Sequence, residues 1–177
     1  MLSFPILPTS VDVMARTLWG EARSGGEEGM WHVANVIINR ANHPRWWGSD
    51  IISVCQAPAQ FSCWNKNDPN RAKLLAVTEA DKQFADAVRL AAIAIAGKLP
   101  DQTGGADSYY ARSMARPPAW ANRSKETFRD PWHVFLRVEL PLLGTNTPAA
   151  PTMRAADLES AITDALNAAS LAKAKGH

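Results

Sequence analysis

The stretch Ser10-Val-Asp-Val-Met-Ala-Arg-Thr-Leu-Trp-Gly-Glu-Ala22, with its continuation Gly26-Glu-Glu-Gly-Met-Trp-His-Val-Ala-Asn-Val-Ile-Ile-Asn-Arg-Ala41, decides the fold class. In the first run, Val11, Met14, Ala15, Leu18, Trp19 and Ala22 recur at i, i+3, i+4, i+7 and i+8, the stripe of a helix lying on a core. Ser10 can cap it. Gly25 and Gly26 interrupt the pattern, and Glu27 and Glu28 then fall in the first turn of a second helix, where carboxylates suit the dipole. Its stripe is Met30, Val33, Ala34, Ile37 and Ala41. Two amphipathic helices in tandem predict a mainly α domain.

Outward from this pair the helical reading continues. After a loop of Pro44, Trp46, Trp47 and Gly48, Ser49 can cap a short helix over residues 50–54, and residues 56–67 are turn-rich. Asp68 before Pro69 can start another helix. Thr78 with Asp81 opens a longer one, striped by Phe84, Val88, Ala91, Ala92 and Ile95 and ending at Gly97. Beyond Pro100 the texture changes. Trp132, Val134, Leu136 and Val138 alternate with His133, Phe135 and Arg137, which reads as a strand, with Ser108 to Ala111 as its partner in a small antiparallel ribbon. Residues 144–151 are rich in Thr, Pro and Ala and read as a linker. An Ala-rich amphipathic helix over 155–175 follows, whose expected place is against the body of the domain. The division is a catalytic-sized unit at 10–143 and a helical tail at 144–177.

Composition narrows the class. A length of 177 residues suits a single domain. A formal net charge of +2 with no concentrated Lys/Arg run gives no case for nucleic acid, though it suits an anionic partner weakly. No run approaches the roughly 18 apolar residues of a membrane span, and the N-terminal residues lack the basic and apolar regions of a secretory signal. The expectation is a monomer made in a host cytoplasm without stable membrane insertion, although the tail could touch a membrane. Cys55 and Cys63 accompany no zinc-ligand spacing, so no metal or other cofactor is expected; a disulfide and two reduced buried thiols stay equally open. Seven Trp is a high count, and each can pack in the core or present a flat face to a sugar ring.

Glu21 is the residue whose position suits chemistry. At about 100° per residue it lies beside Met14 and Leu18, at the margin of the apolar stripe, just before its helix ends. Partial desolvation there favours the protonated carboxyl that a glycosidic oxygen needs from its acid. A boundary Glu paired with Arg16 or Arg23 is the plainer reading of helix position alone.

Context adds to this. The run Ala15-Arg-Thr-Leu-Trp-Gly-Glu-Ala-Arg23 resembles the A-R-x-x-x-G-E-A-R motif of the spore-cortex-lytic (SleB-like) cell wall hydrolases. Further similar runs follow in order: Gly29 to Arg40 (G-x-x-x-V-A-x-V-x-x-N-R), Pro58 to Ser62 (P-G-Q-F-S), Gly105 to Tyr110 (G-A-T-H-Y-Y), Pro118 to Ala121 (P-x-W-A) and Trp132 to Phe135 (N-H-x-F). Each is weak alone; all of them in register are specific. The departures are Ala59, Ser108, Ala111 and Leu136, where the family often has Gly, His, Asn and Tyr.

The resemblance implies a lysozyme-like helical fold and cleavage of the glycan strands of bacterial peptidoglycan, with Glu21 as catalytic acid. Gln60 and Ser62 would hold the substrate, with Phe61 anchoring their turn in the core. Of Tyr109 and Tyr110 one would face the cleft, Tyr109 being preferred. His133 could orient Glu21, contact substrate or be a core residue; Trp64 could be a sugar platform; His32 and His43 are read as surface residues. Such enzymes act as lytic transglycosylases, the muramic acid C6 hydroxyl closing on its own anomeric carbon, and Glu21 could serve as both acid and base. A hydrolase would need a second carboxylate about 5 to 9.5 Å away, and Asp50, Asp68, Asp101 and Asp107 sit where Asp is usually a cap or turn former. A non-catalytic wall-binding or virion module, and a metal-dependent peptidase, are the competing classes. The expected setting is a phage or prophage endolysin that reaches the wall through a holin.

Overall fold

In the computed structural model, residues 9–121 and 125–140 are described. Five helices carry the body: α1 (Thr9–Ala22), α2 (Gly26–Asn42), α3 (Ile51–Gln56), α4 (Arg71–Ala76) and α5 (Lys82–Ile95). Three strands follow, β1 (Ser108–Ala111), β2 (Glu126–Arg129) and β3 (His133–Leu136). The chain is therefore mainly α with a small antiparallel sheet. The linker and tail helix read from residues 144–175 lie outside the described residues.

α1 packs on both α2 and α5, and the whole predicted stripe of α1 is buried. On α2, Met30, Val33, Ala34 and Ile37 are fully buried. On α5 the stripe holds at Phe84, Val88, Ala91 and Ala92, but Ile95 is 37% exposed because the helix ends there. The caps are partly those expected. Asp81 accepts from the Phe84 N–H at the start of α5, and Gly97, at φ +71°, takes the left-handed conformation that ends it. At α3 the cap is Asp50 rather than Ser49: Asp50 accepts from Ile52 and Ser53 N–H while Ser53 Oγ accepts from the Asp50 N–H, a reciprocal capping box. Asp68 accepts from the Asn70 N–H in a turn that precedes α4.

The ribbon is a three-stranded sheet in the order β1-β3-β2, all antiparallel. Tyr109 pairs with Phe135 and Ala111 with His133. β2 is an addition to the sequence reading. With a neighbour on each edge, β3 is buried along its whole length, so its alternation marks two covered faces rather than one wet and one dry.

What seats the sheet is the second face of α2, which the apolar stripe does not reveal. Asn35 donates to the Pro100 carbonyl and accepts from the Gln102 N–H, Asn39 donates to the Ala106 carbonyl and to Asp101, and Arg40 Nε donates to the Asp107 carbonyl at 2.6 Å. The N-x-x-x-N-R positions thus pin the chain from Pro100 to Asp107, immediately before β1. His32 belongs to this face too. Its reading as a surface residue is corrected: it is 1% exposed, edge-on to Phe128 and Phe135, with Nδ1–H donating to Asp130 Oδ2 at 2.9 Å. A polar helix face buried by hydrogen bonds leaves no hydrophobic period to read.

Candidate active site

Glu21 stands in the last turn of α1, half-buried. Gly20 makes its environment: a Cβ there would lie 2.7 Å from the Cys63 Cβ, so only glycine lets the turn Ser62–Trp64 come this close. That approach delivers the Cys63 N–H to Glu21 Oε1 at 3.1 Å. From the other side the Tyr109 hydroxyl donates to Oε2 at 3.2 Å. Neither nearby arginine pairs with it. Arg16 is taken by Asp12 and the carbonyls of Leu74 and Val77. Arg23 donates to the carbonyls of Trp19 and Gly20 and lies 4.1 Å over the Trp19 ring. The carboxyl is held by neutral donors alone among the described residues.

Glu21 opens onto a cleft of about 750 Å3 between the helical body and the sheet. One wall carries Arg40, Gln60, Phe61 and Ser62; the other carries Tyr109, Tyr110 and His133; Trp46 and Trp120 stand at the rim, 62% and 47% exposed. Arg40 crosses beneath, its Nη1 donating to Gln60 Oε1 at 3.2 Å, so one side chain fixes both walls. Burial lowers the Arg40 pKa from its ordinary value, against the pull of Tyr109 and Asp107. Burial, then the charge of Glu21, pushes the Tyr109 phenol well above its ordinary value, keeping it a hydrogen donor. Burial also lowers His133, Asp130 only partly opposing it, so the imidazole is neutral near pH 7.

Ala59 has φ +60°, in the left-handed region. This is the position where the resembling motif has Gly, and the geometry gives the reason: the turn that aims Gln60 requires a conformation glycine adopts freely and alanine does not.

The sequence profile of the cell wall hydrolases matches residues 24–136. The chain belongs to the cell wall hydrolase family. As a member it is an enzyme that acts on peptidoglycan. No curated protein and no solved structure matches it. The profile match begins three residues after Glu21 and takes in both walls of the cleft, so the place of Glu21 in this hydrolase stands on the A-R-x-x-x-G-E-A-R run and on the cleft geometry.

Among the residues named from sequence, the cleft of the hydrolase gathers Glu21, Gln60, Ser62, Tyr109 and His133. Trp64 is not among its lining. Its indole N–H donates to Thr17 Oγ1 at 2.9 Å and its ring packs against the helical core, so the platform reading of Trp64 is replaced by a packing one. The exclusive choice between the tyrosines is corrected as well: both line the cleft, because Tyr110, though on the opposite side of β1, meets Trp120 edge-on across a loop that folds over it. Phe61 is buried, as its anchoring role requires. Cys55 and Cys63 are buried free thiols; burial raises Cys55 to about 12, and burial followed by the charge of Glu21 raises Cys63 further.

Sequence reasoning missed Trp46, Trp120, Arg40, Asp130 and Glu139. Trp120 lay within a recognised run and Arg40 ended another, so those were findable. Glu139 follows the last strand and enters the cleft only through the turn after β3. Asp130 gathers the N–H groups of Trp132 and His133 together with His32, a role visible only in three dimensions.

Proposed function

We propose that this hydrolase cuts the β-1,4 bond between N-acetylmuramic acid and N-acetylglucosamine as a lytic transglycosylase, with Glu21 as the general acid. The observation that carries the reading is Glu21 in the cleft, gripped by the Cys63 N–H and the Tyr109 hydroxyl and, among the described residues, by no cation. Those donors steady the carboxylate left after its proton passes to the bridging oxygen. The C6 hydroxyl of the same muramoyl unit then closes on C1 and leaves a 1,6-anhydro end. Gln60 and Ser62 hold the sugar's polar groups, and Trp46 and Trp120 offer flat faces to the rings along the strand.

The four Asp candidates for a second carboxylate are engaged elsewhere. Asp50 caps α3, Asp68 closes a turn, Asp101 accepts from Thr103, Gly105 and Asn39, and Asp107 accepts from the N–H groups of Val138, Glu139 and Leu140. Glu139 supports a second reading, a hydrolase in which this exposed cleft carboxylate activates water.

Mass analysis of fragments from purified sacculi tests the pair. Ends lighter by one water favour the transglycosylase; reducing muramic acid ends, abolished by Glu139→Gln, favour the hydrolase. In either case Glu21→Gln folds normally and loses about 10²–10⁴-fold in rate; a variant that keeps a tenth of the wild-type rate removes Glu21 from the mechanism. Delivery by a holin, as for a phage endolysin, belongs to the same proposal; lysis on co-expression with a holin, and not without it, tests that part.

A further inference from the structure

A charge taken into the interior of a protein is costly unless an opposite charge comes with it. Arg40 is a buried cation for which the fold supplies no such partner. It stands in the last turn of α2, is 6% exposed, and lines the floor of the cleft.

Its guanidinium is held by neutral groups. Nε donates to the Asp107 carbonyl at 2.6 Å and Nη1 to Gln60 Oε1 at 3.2 Å, while the Trp47 and Phe61 rings lie 5.4 and 5.5 Å from its central carbon. The carboxylates in reach are spent elsewhere or stand apart. Asp107 gives its oxygens to Ser108 Oγ and to the N–H groups of Val138, Glu139 and Leu140. Glu21 takes the Cys63 N–H and the Tyr109 hydroxyl. Glu139 lines the same cleft but is exposed, and among the described residues no carboxylate pairs with Arg40. The third nitrogen, Nη2, makes no hydrogen bond among the described residues, yet it is not one of their sealed, unpartnered atoms, which are Arg89 Nε, His133 Nδ1 and Arg137 Nε. It therefore keeps contact with the space that Arg40 lines, the cleft. Gln60 is set in the same way: its Oε1 accepts from Nη1, which leaves its NH2 to donate into the cleft.

We propose that Arg40 and the Gln60 amide form a carboxylate subsite in the floor of the cleft, and that the counter-ion of Arg40 arrives with the glycan strand. The proposal rests on the glycosidase reading given above. Muramic acid differs from its partner sugar by a lactyl ether that ends in a carboxyl, so the polymer carries this group on every muramoyl unit that Glu21 would release. The lactyl carboxyl is an anion where the stem peptide is absent. Where the peptide is present that carboxyl is an amide, and the anions are the carboxylates of the stem itself. Either is a planar acceptor that a guanidinium takes by charge-assisted hydrogen bonds. A strand of N-acetylglucosamine alone offers neither.

The test uses the full chain on two substrates, intact sacculi and peptide-free glycan strands, each before and after its carboxyls are converted to methylamides. For at least one of the two, wild type should show a KM about 10-fold or more lower on the charged form. A preference on peptide-free strands assigns the subsite to the lactyl carboxylate; one on sacculi assigns it to the stem peptide. Gln60→Glu should fold, since its new oxygen keeps the contact with Arg40, and it gives the guanidinium a resident counter-ion. Its melting temperature should rise, and its KM for the charged form should climb to that for the neutral one, an outcome that a purely structural Arg40 would not produce. Arg40→Gln should lose the preference as well. Equal KM on charged and neutral forms of both substrates with wild type overturns the proposal, as does a folded Gln60→Glu that keeps the wild-type preference. Should Arg40→Gln fail to fold, Gln60→Glu decides. The glycosidase reading fails separately: strands cut with no regard to charge sink only the subsite, and glycan strands left uncut by wild type sink the glycosidase and the subsite with it.

Discussion

The two walls of the cleft are built by different physics. The helical wall rests on apolar burial: Met14, Leu18, Met30, Val33, Ile37 and Leu90 are all fully buried in one cluster shared by α1, α2 and α5. The sheet wall has a much smaller apolar cluster, Val36, Ala106 and Phe135, and is seated by polar groups instead. Asp101, Asp107 and Asp130 each collect several N–H groups, and α2 contributes Asn35, Asn39 and Arg40. Burial is forgiving and spread over many residues. A carboxylate that satisfies several N–H groups at once is not, since removing it leaves all of them without that partner.

The sharpest way to break this comparison is to remove one anchor from each wall. Asp107→Ala should cost about 3–4 kcal/mol, because it strands the N–H groups of Val138, Glu139 and Leu140. Hydrogen exchange should show that loss in β1 and β3 while α1 and α5 keep their protection. Leu18→Ala, in the helical core, should cost about 2–4 kcal/mol and lower protection everywhere. If the Asp107 variant loosens both walls equally, the distinction between them is wrong.

Acid should separate the walls more gently. The Asp130 carboxyl sits below its ordinary 3.8: burial pushes it up, and hydrogen bonds from His32, His133 and Trp132 outweigh that. Its stabilisation is therefore present above 3.8 and lost as pH falls through the lowered value. His133 is also lowered, so the unfolded chain takes up its proton first, and stability declines as pH falls below about 6.5. Both act on the sheet wall. Denaturant titrations between pH 7 and 5 should show a decline that His133→Gln flattens; an identical slope in that variant would remove His133 from the account.

The smallest effect expected concerns the turn at Ala59. Ala59→Gly relieves a left-handed alanine and should stabilise by about 0.5–1 kcal/mol, the gain being reduced by glycine's freer unfolded chain. A thermal melt that moves down instead would show that the turn holds its shape by other means.

The same contrast governs what the sequence made legible. The stripes of α1, α2 and α5 were readable because apolar burial imposes a period on the residues themselves. β3 was readable through alternation and β1 through its neighbours. β2, Glu-Thr-Phe-Arg, carries no such pattern; it is a short edge strand with a bulge between Glu126 and Phe128, formed because β3 has an edge to fill. His32 was misread because hydrogen bonds, not hydrophobicity, bury it. Within the site, Glu21, Gln60, Ser62, Tyr109 and His133 came from runs with family resemblance, whereas Trp64 and Trp46 could not be told apart by composition. One indole finds Thr17 and the other finds the cleft, and that depends on the path of the loops.

Glu21 receives one donor from each wall, the Cys63 N–H from the turn beside α1 and the Tyr109 hydroxyl from β1. The setting of this carboxyl is therefore not portable. Grafting α1 and its turn onto another scaffold would carry the carboxyl with half its setting, and swapping in a foreign sheet would demand a phenol at the same height above the helix.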